Sequence, residues 1–260
     1  MTSRAAIEVE DLEVAFISRE IIHPVLEGVS LEVVEGGFTA LLGPSGCGKS
    51  TLLNAIAGLL KPVEGRIFVL GKEVQGPSPE VGYMFQQDYL LPWRTVEKNI
   101  HLAWELRGER PIQERTLALL EEVGLGDALH KYPHELSGGM RQRVALVRTL
   151  APEPAVLLLD EPFSALDYLT RLRLGDLVQK VLKRHQKTVL FVTHDIPEAI
   201  SLADRIILLG GRPATVQREF RVPPHFQGLA SLERRTDPAF QPLFQQIWEE
   251  MKRLDGEGMD

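Results

Sequence analysis

Cysteine is all but missing: Cys47 stands alone among 260 residues. No internal disulfide can form, so a reducing compartment is expected. Positive charge is also short, with 29 Lys and Arg against 36 Asp and Glu and a net charge of −7. A protein that grips nucleic acid through its phosphates carries the opposite balance, so nucleic acid is not an expected partner. Long hydrophobic runs are absent. Ala155 to Leu159 is among the longest, and Asp160 ends it, well short of the roughly 18 apolar residues of a membrane span. Met1 to Ala6 lead into acidic, alternating residues without the apolar core of a secretory leader. If the chain serves a membrane process, another chain supplies the membrane part. Internal repeats and low-complexity tracts are lacking as well. The length suits one large domain, or one domain with a small appendage.

What is present is strand–helix alternation. Ile7, Val9, Leu12, Val14 and Phe16 predict an opening strand whose alternation slips around Asp11. Leu31 and Val33 continue the pattern up to a turn at Gly36-Gly37. Phe38 to Leu42 reads as a buried strand, and Lys49 to Leu60 as a helix with Leu52, Leu53, Ile56 and Leu60 on one face and Pro62 as its stop. Ile67 to Leu70 and Val81 to Phe85 are short strands. From Val96 to about Val123 the period is helical, with Leu117, Leu120 and Val123 on one stripe, and Gly124 and Gly126 break it. A further helix begins at Ser137, whose hydroxyl suits a cap, and ends before Pro152. Val156 to Leu159 fits a parallel strand covered on both faces. A helix over Leu169 to His185, a strand over Val189 to Val192, a short helix and a strand over Ile206 to Leu209 follow. This order implies an α/β domain. In Pro238 to Leu254, Phe240, Leu243, Phe244, Ile247, Met251 and Leu254 recur at helical spacing, either packing on their own domain or forming a partner surface.

The chemistry concentrates at strand ends. Gly43-Pro44-Ser45-Gly46-Cys47-Gly48-Lys49-Ser50 fits the P-loop pattern G-x-x-x-x-G-K-[ST], with a strand before it and a helix after it. Backbone N–H groups of such a loop curl around phosphate oxygens. Lys49 is expected over the β- and γ-phosphates of ATP, and Ser50 on Mg²⁺; Thr51 follows in the first helical turn. Asp160 and Glu161 close an apolar strand at the carboxyl end, where α/β sites form. Asp160 suits Mg²⁺, and Glu161 suits a general base that polarises the attacking water. His194 and Gln86 also stand at strand ends. His194 is placed to bond a γ-phosphate, and Gln86 to touch Mg²⁺ or the attacking water. Leu136-Ser137-Gly138-Gly139-Met140-Arg141-Gln142 is a second glycine-rich helix start suited to an anion.

These motifs in this order resemble the ATP-binding cassette of ABC transporters: the P-loop, Gln86, the Leu-Ser-Gly-Gly stretch, Leu159-Asp160-Glu161-Pro162, Ser164-Ala165-Leu166-Asp167 and Thr193-His194-Asp195. The resemblance spans about Ile7 to Val222. It implies a P-loop NTPase core (1–86 and 151–222) with an N-terminal antiparallel β region, an inserted helical signature subdomain (87–150) and a C-terminal extension (223–260). It implies a head-to-tail dimer in which Ser137, Gly138 and Gly139 contact the γ-phosphate held by a second copy, and Asp167 lies at the dimer interface. It sets Phe16 where an aromatic ring meets adenine; the alternative for Phe16 is an ordinary core position. Two membrane permease subunits, an extracytoplasmic binding protein and a peripheral position on the cytoplasmic face of the membrane are implied in turn.

Tyr89-Leu90-Leu91-Pro92-Trp93-Arg94-Thr95-Val96, with Ala203-Asp204-Arg205 and Gly211-Arg212-Pro213, looks like cassettes serving nitrate, sulfonate and taurine importers. In that family the loop after the glutamine receives a short helix of the membrane subunit. Leu91 and Trp93 are therefore docking candidates; the alternative for Trp93 is the core of the helical segment. A DNA-repair or translation ATPase would add a long coiled coil or a second cassette, and neither is visible. A kinase or GTPase would leave Ser137 to Gly139 and His194 without a role. Cys47, at a helix start inside the P-loop, is expected to have a lowered thiol pKa and to expose the ATPase to thiol reagents, with ATP protecting.

Overall fold

The computed structural model describes residues 4–18, 21–164 and 166–256. Met1–Ser3, Arg19, Glu20, Ala165 and 257–260 lie outside the described residues, Ala165 among them a position of the motif Ser164 to Asp167.

Four apolar runs set the architecture. They form β3 (Phe38–Leu42), β7 (Val156–Asp160), β8 (Thr188–Thr193) and β9 (Arg205–Gly211). Successive strand side chains point to opposite faces, so a run without polar interruptions must be buried twice. Phe38, Ala40, Leu42, Leu157, Leu159, Val189, Phe191, Ile206 and Leu208 enter one core. Leu41, Val156, Leu158, Leu190, Val192, Ile207 and Leu209 enter the other. With β6 (Val81–Met84) on the outer flank, these strands are parallel and ordered β9-β3-β8-β7-β6. All five therefore end on the same edge.

On the other side β10 (Ala214–Arg221) runs antiparallel to β9 and parallel to β2 (Ile21–Val34), and β1 (Ala5–Ser18), β4 (Glu64–Val69) and β5 (Lys72–Glu73) continue from β2 in antiparallel pairs. The expected slip at Asp11 is a bulge: pairing with β2 shifts between Val9 and Leu12, and Asp11 takes φ 44. Ser30 stabilises it, since Asp11 N donates to Ser30 Oγ at 2.9 Å and Ser30 Oγ donates to Asp11 Oδ1 at 3.0 Å.

α1 (Lys49–Ile56) is shorter than expected. Gly58, in the left-handed region at φ 72, closes it, and Leu59 N and Leu60 N both turn back to Asn54 O. Leu60 still packs on the core. The stretch from Val96 is three helices rather than one: α2 (Val96–Ile100), α3 (Leu102–Arg107) and α4 (Gln113–Glu122), with Gly108 at φ 69 ending the second. In α4 the buried stripe is Thr116, Leu119, Leu120 and Val123; Leu117 faces solvent. The i, i+3, i+4, i+7 set is the true inner face, and Leu117 lies about a quarter turn off it. α5 (Gly138–Leu150) follows, and one buried cluster joins Val96, Ile100, Val144 and Val147 to Leu159 and Phe191.

α6 (Tyr168–Arg184) and α7 (Ile196–Leu202) cover the same face of the sheet. Beyond them, α8 (Ser231–Thr236) and α9 (Phe240–Gly256) close the fold. Phe240, Leu243, Ile247 and Leu254 of α9 sink into the main core, with Phe244 and Met251 against it. The amphipathic segment thus packs on its own chain. Among the described residues, no helix is long and apolar enough to cross a membrane.

Candidate active site

The edge where β3, β6, β7 and β8 end gathers most of the residues singled out by the sequence. Gly43 leaves β3 so close to β9 that a Cβ there would stand 2.2 Å from Leu209 O. Gly46 and Gly48 take φ 78 and 105, which lets the loop turn before α1. Lys49 is 5% exposed, and its ammonium donates to Gly43 O at 2.9 Å and Pro44 O at 2.7 Å. The cation is thereby tied to the backbone of its own loop. Ser45 and Gly46 are exposed, and Pro44 and Thr51 partly so.

Ser50 Oγ donates to Asp160 Oδ1 at 3.0 Å, and Tyr83 OH reaches Asp160 Oδ2 at 3.4 Å. Burial pushes the Asp160 carboxyl up, and the Ser50 hydrogen bond works against that. Burial also pushes the Tyr83 phenol up, with Asp160 adding to it, so Tyr83 remains a donor. Glu161 has φ 43, a costly conformation for a side chain of its size. Glu161 N donates to Val192 O at 3.1 Å, and Ser164 Oγ donates to Glu161 O at 3.1 Å. This sharp turn aims the carboxylate along the edge. There Gln86 Nε2 donates to Glu161 Oε2 at 3.4 Å, and His194 Nδ1 lies 3.2 Å from Glu161 Oε1. Gln86, Glu161 and His194, on three different strand ends, thus meet around one carboxylate.

Among the described residues, Ser137, Gly138 and Gly139 do not hydrogen-bond to this cluster, although Gly138 lines one cavity with Gln86. Ser137 caps α5, accepting from Met140 N at 3.4 Å. With Asp167, Arg143 and Thr170 the three line an open cavity of about 620 Å³. Asp167 caps α6 through Thr170 N at 3.1 Å, and hydrogen bonds from Thr170 hold its carboxyl below the usual range. Among the described residues no hydrogen bond joins Ser137 to Gly139 with the P-loop. Phe16 is 46% exposed on β1, opposite His23 of β2, and so is not a core residue.

A profile of the ABC transporter family matches residues 26–164. The chain belongs to that family. It is 48% identical over 229 residues to YtlC of Bacillus subtilis, an uncharacterized ABC transporter ATP-binding protein, covering 87% of this chain and 88% of that one. It is 43% identical over 231 residues to the aliphatic sulfonates import ATP-binding protein SsuB of Bacillus licheniformis, covering 89% and 88%. Among solved structures it resembles the dimeric post-hydrolysis state of the ATP-binding cassette MJ0796 bound to ADP and Pi. There the TM-score is 0.73 and the identity 32%, over 84% of this chain and 99% of that one. As an ABC ATP-binding protein the chain is an ATPase coupled to transport.

The residues fit Mg²⁺ as a companion of the nucleotide. Ser50 and Asp160 offer hard oxygen ligands side by side. Among the described residues no group of three or more His, Cys, Asp or Glu could hold a metal alone, so phosphate oxygens and water would complete its shell.

One expectation for this ABC ATPase fails. The Cys47 side chain points away from the loop mouth into the core beneath it, with Sγ 3.8 Å from Leu209 O. Burial pushes its thiol up, and the neighbouring Lys49 offsets this only in part. The helix N-terminus would have lowered it, but desolvation outweighs that, so Cys47 is a buried packing residue.

Several residues that sequence reasoning missed hold the loop after Gln86. Fully buried Asn99 accepts from Leu91 N at 2.7 Å and donates to the carbonyls of Leu91, Arg94 and Thr95 at 3.2, 3.1 and 3.0 Å. Arg148 donates to Asp88 O at 2.6 Å and Tyr89 O at 2.8 Å; Arg141 pairs with Asp88 at 2.9 Å. Gln142 Nε2 donates to Gln86 O at 3.2 Å. Three side chains of α5, the helix that Ser137 caps, therefore grip the loop that carries Gln86. A polar residue at an inward helical position, as Asn99 is, was the available signal.

Proposed function

We propose that this chain is the ATP-hydrolysing subunit of an importer for a small anion, a sulfonate, taurine or nitrate, that crosses through separate membrane subunits. The observation that carries the reading is a catalytic edge complete on one side only. The P-loop, Asp160, Glu161, Gln86 and His194 converge, while exposed Ser137, Gly138 and Asp167, with half-buried Gly139, line a separate cavity. Two copies placed head to tail would give each P-loop the other's signature.

In that unit the amides of Gly43 to Thr51 wrap the phosphates, and Lys49 swings from its own carbonyls onto the β- and γ-phosphates. Phe16 stacks on adenine. Ser50, Asp160 and Gln86 would hold Mg²⁺, which would supply charge neutralisation for phosphoryl transfer. Glu161 takes a proton from the attacking water, and His194 donates to the γ-phosphate. Gln86 orients the water through its contact with Glu161.

The division into a core (1–86 and 151–222), a helical signature subdomain (87–150) and an extension (223–260) belongs to the same proposal. So does a peripheral place on the cytoplasmic face of the membrane, with a binding protein delivering the anion outside. Trp93 is 72% exposed on a loop pinned by Asn99, beside half-buried Leu91. A rigidly held aromatic side chain suits docking to a membrane subunit. The sulfonate importer likeness and the Tyr89 to Val96 stretch support the cargo class.

The test is purification of tagged Glu161→Gln in mild detergent with ATP. A polytopic membrane protein in stoichiometric amount is expected, and soluble partners alone would contradict the reading. Uptake of labelled taurine, an alkanesulfonate and nitrate by cells carrying the chain or its Lys49→Ala form then identifies the cargo.

A further inference from the structure

Arg171, in the first turns of α6, joins two loops that the site keeps apart. Its Nη1 donates to Asp195 Oδ2 at 3.2 Å, and its Nη2 donates to Leu166 O at 3.2 Å. Its Nε is buried and has no partner among the described residues. A buried donor left unpaired costs stability, so this placement serves the two ends of the guanidinium rather than its own satisfaction.

Each end reaches a loop with a role in the site. Leu166 precedes Asp167, on the exposed surface that bears Ser137 to Gly139. The turn is fixed to α6 twice, by Arg171 at Leu166 O and by Asp167 on Thr170 N. At the other end, Asp195 directly follows His194. Its Oδ1 caps α7 by accepting from Glu198 N at 2.9 Å, and its own N–H donates to Thr193 Oγ1 at 3.0 Å. His194, between these anchors, lies 3.2 Å from Glu161. A shift of the Asp167 turn is thus passed through a planar, doubly bonded guanidinium to the residue next to His194.

We infer that Arg171 is a positioning residue that transmits the docking of a second copy at the Asp167 turn to His194. The inference rests on the head-to-tail reading above. It gives hydrolysis in one site a physical reason to wait for its neighbour. Only a fork can hold both ends; a lysine ammonium could satisfy Asp195 or Leu166 O, and would not clamp them in a fixed relation.

The test is ATP hydrolysis by the full chain against ATP concentration, with ATP binding measured separately. The variants are Arg171→Met, Arg171→Lys, His194→Ala and the double variant Arg171→Met/His194→Ala. Both Arg171 variants are expected to lower kcat about tenfold, the scale of one charged hydrogen bond, with ATP affinity within about twofold of the parent. In the His194→Ala background Arg171→Met should cost nothing more. A normal kcat in Arg171→Met, full rescue by lysine, or additive losses in the double variant would overturn the inference while leaving the site intact. A normal rate in His194→Ala would instead bring down the site reading, and this inference with it. Should Arg171→Met fail to fold, Asp195→Asn keeps a capping oxygen and the side-chain size but drops the charge, and the same pattern is expected of it.

Discussion

The two halves of the nucleotide machinery are built in opposite ways. Around the P-loop the charged and catalytic side chains are already engaged: Lys49 with its own carbonyls, Ser50 and Tyr83 with Asp160, Gln86 and His194 with Glu161. Around Ser137 to Gly139 and Asp167, side chains cap their own helices and otherwise face an open cavity. In the proposed mechanism the first half binds by exchanging internal partners for phosphate oxygens. The second has its helix starts fixed by the Ser137 and Asp167 caps. Such a contrast within one chain is what the proposed head-to-tail pair requires.

The largest break in this comparison comes from Glu161→Gln. Removing the general base should slow hydrolysis by about 100- to 10,000-fold, while ATP still binds and a closed dimer accumulates on sizing columns. Near-normal turnover would remove Glu161 from that role.

The two halves should next separate in binding. Lys49→Ala should weaken ATP binding to the isolated chain by about tenfold or more, since it deletes a charged contact to phosphate. Ser137→Arg should leave that affinity within about twofold and abolish ATP-driven dimerisation, at a cost of about 1 kcal/mol for the lost cap. Equal losses of affinity in both would erase the distinction. Equilibrium dialysis and light scattering decide it.

Asn99 sharpens the comparison at the junction of the halves. Asn99→Ala strands buried backbone groups of the loop after Gln86 and should cost on the order of 2–3 kcal/mol in urea unfolding. A loss of a few tenths would mean that the loop is held from elsewhere.

Glu198 gives the smallest effect. It is 6% exposed, and burial raises its carboxyl to about 6 from the usual 4.5, opposed in part by Thr193, Arg171 and His194. Between about pH 4.5 and 6 the folded chain keeps this proton after the unfolded chain has lost it, so this group makes stability fall as pH rises through that window. Glu198→Gln should remove that component, worth about 2 kcal/mol. It is read as the difference between parent and variant melts at pH 4 and pH 7.5, and identical pH profiles would refute it.

Much of this was legible in the sequence because it is local. Apolar strands such as Val156 to Leu159, the glycine pattern before Lys49 and the cap at Ser137 each lie within a few neighbouring residues. The bulge at Asp11 announced itself as a break in period. What stayed hidden depends on partners far along the chain. Tyr83 meets Asp160, Arg148 grips Asp88, and Arg171 reaches Asp195, pairings that no local period encodes. Leu117 misled because a stripe at i, i+3, i+6 drifts off the inner face of a 3.6-residue helix. Cys47 misled because the helix start was visible in the sequence and the inward direction of its side chain was not.

The most direct test of the central claim mixes two defective chains. Lys49→Ala lacks a working P-loop and Ser137→Arg lacks a working signature, so neither should form an ATP-dependent dimer alone. In a head-to-tail pair made from both, one site carries both lesions and the other carries none. The account predicts that ATP brings the two together as a mixed dimer holding a single nucleotide tightly, seen by sizing chromatography with the chains differently labelled. If no mixed dimer forms, while parent chains mixed in the same way dimerise with ATP, the site is not shared between copies and the account is wrong.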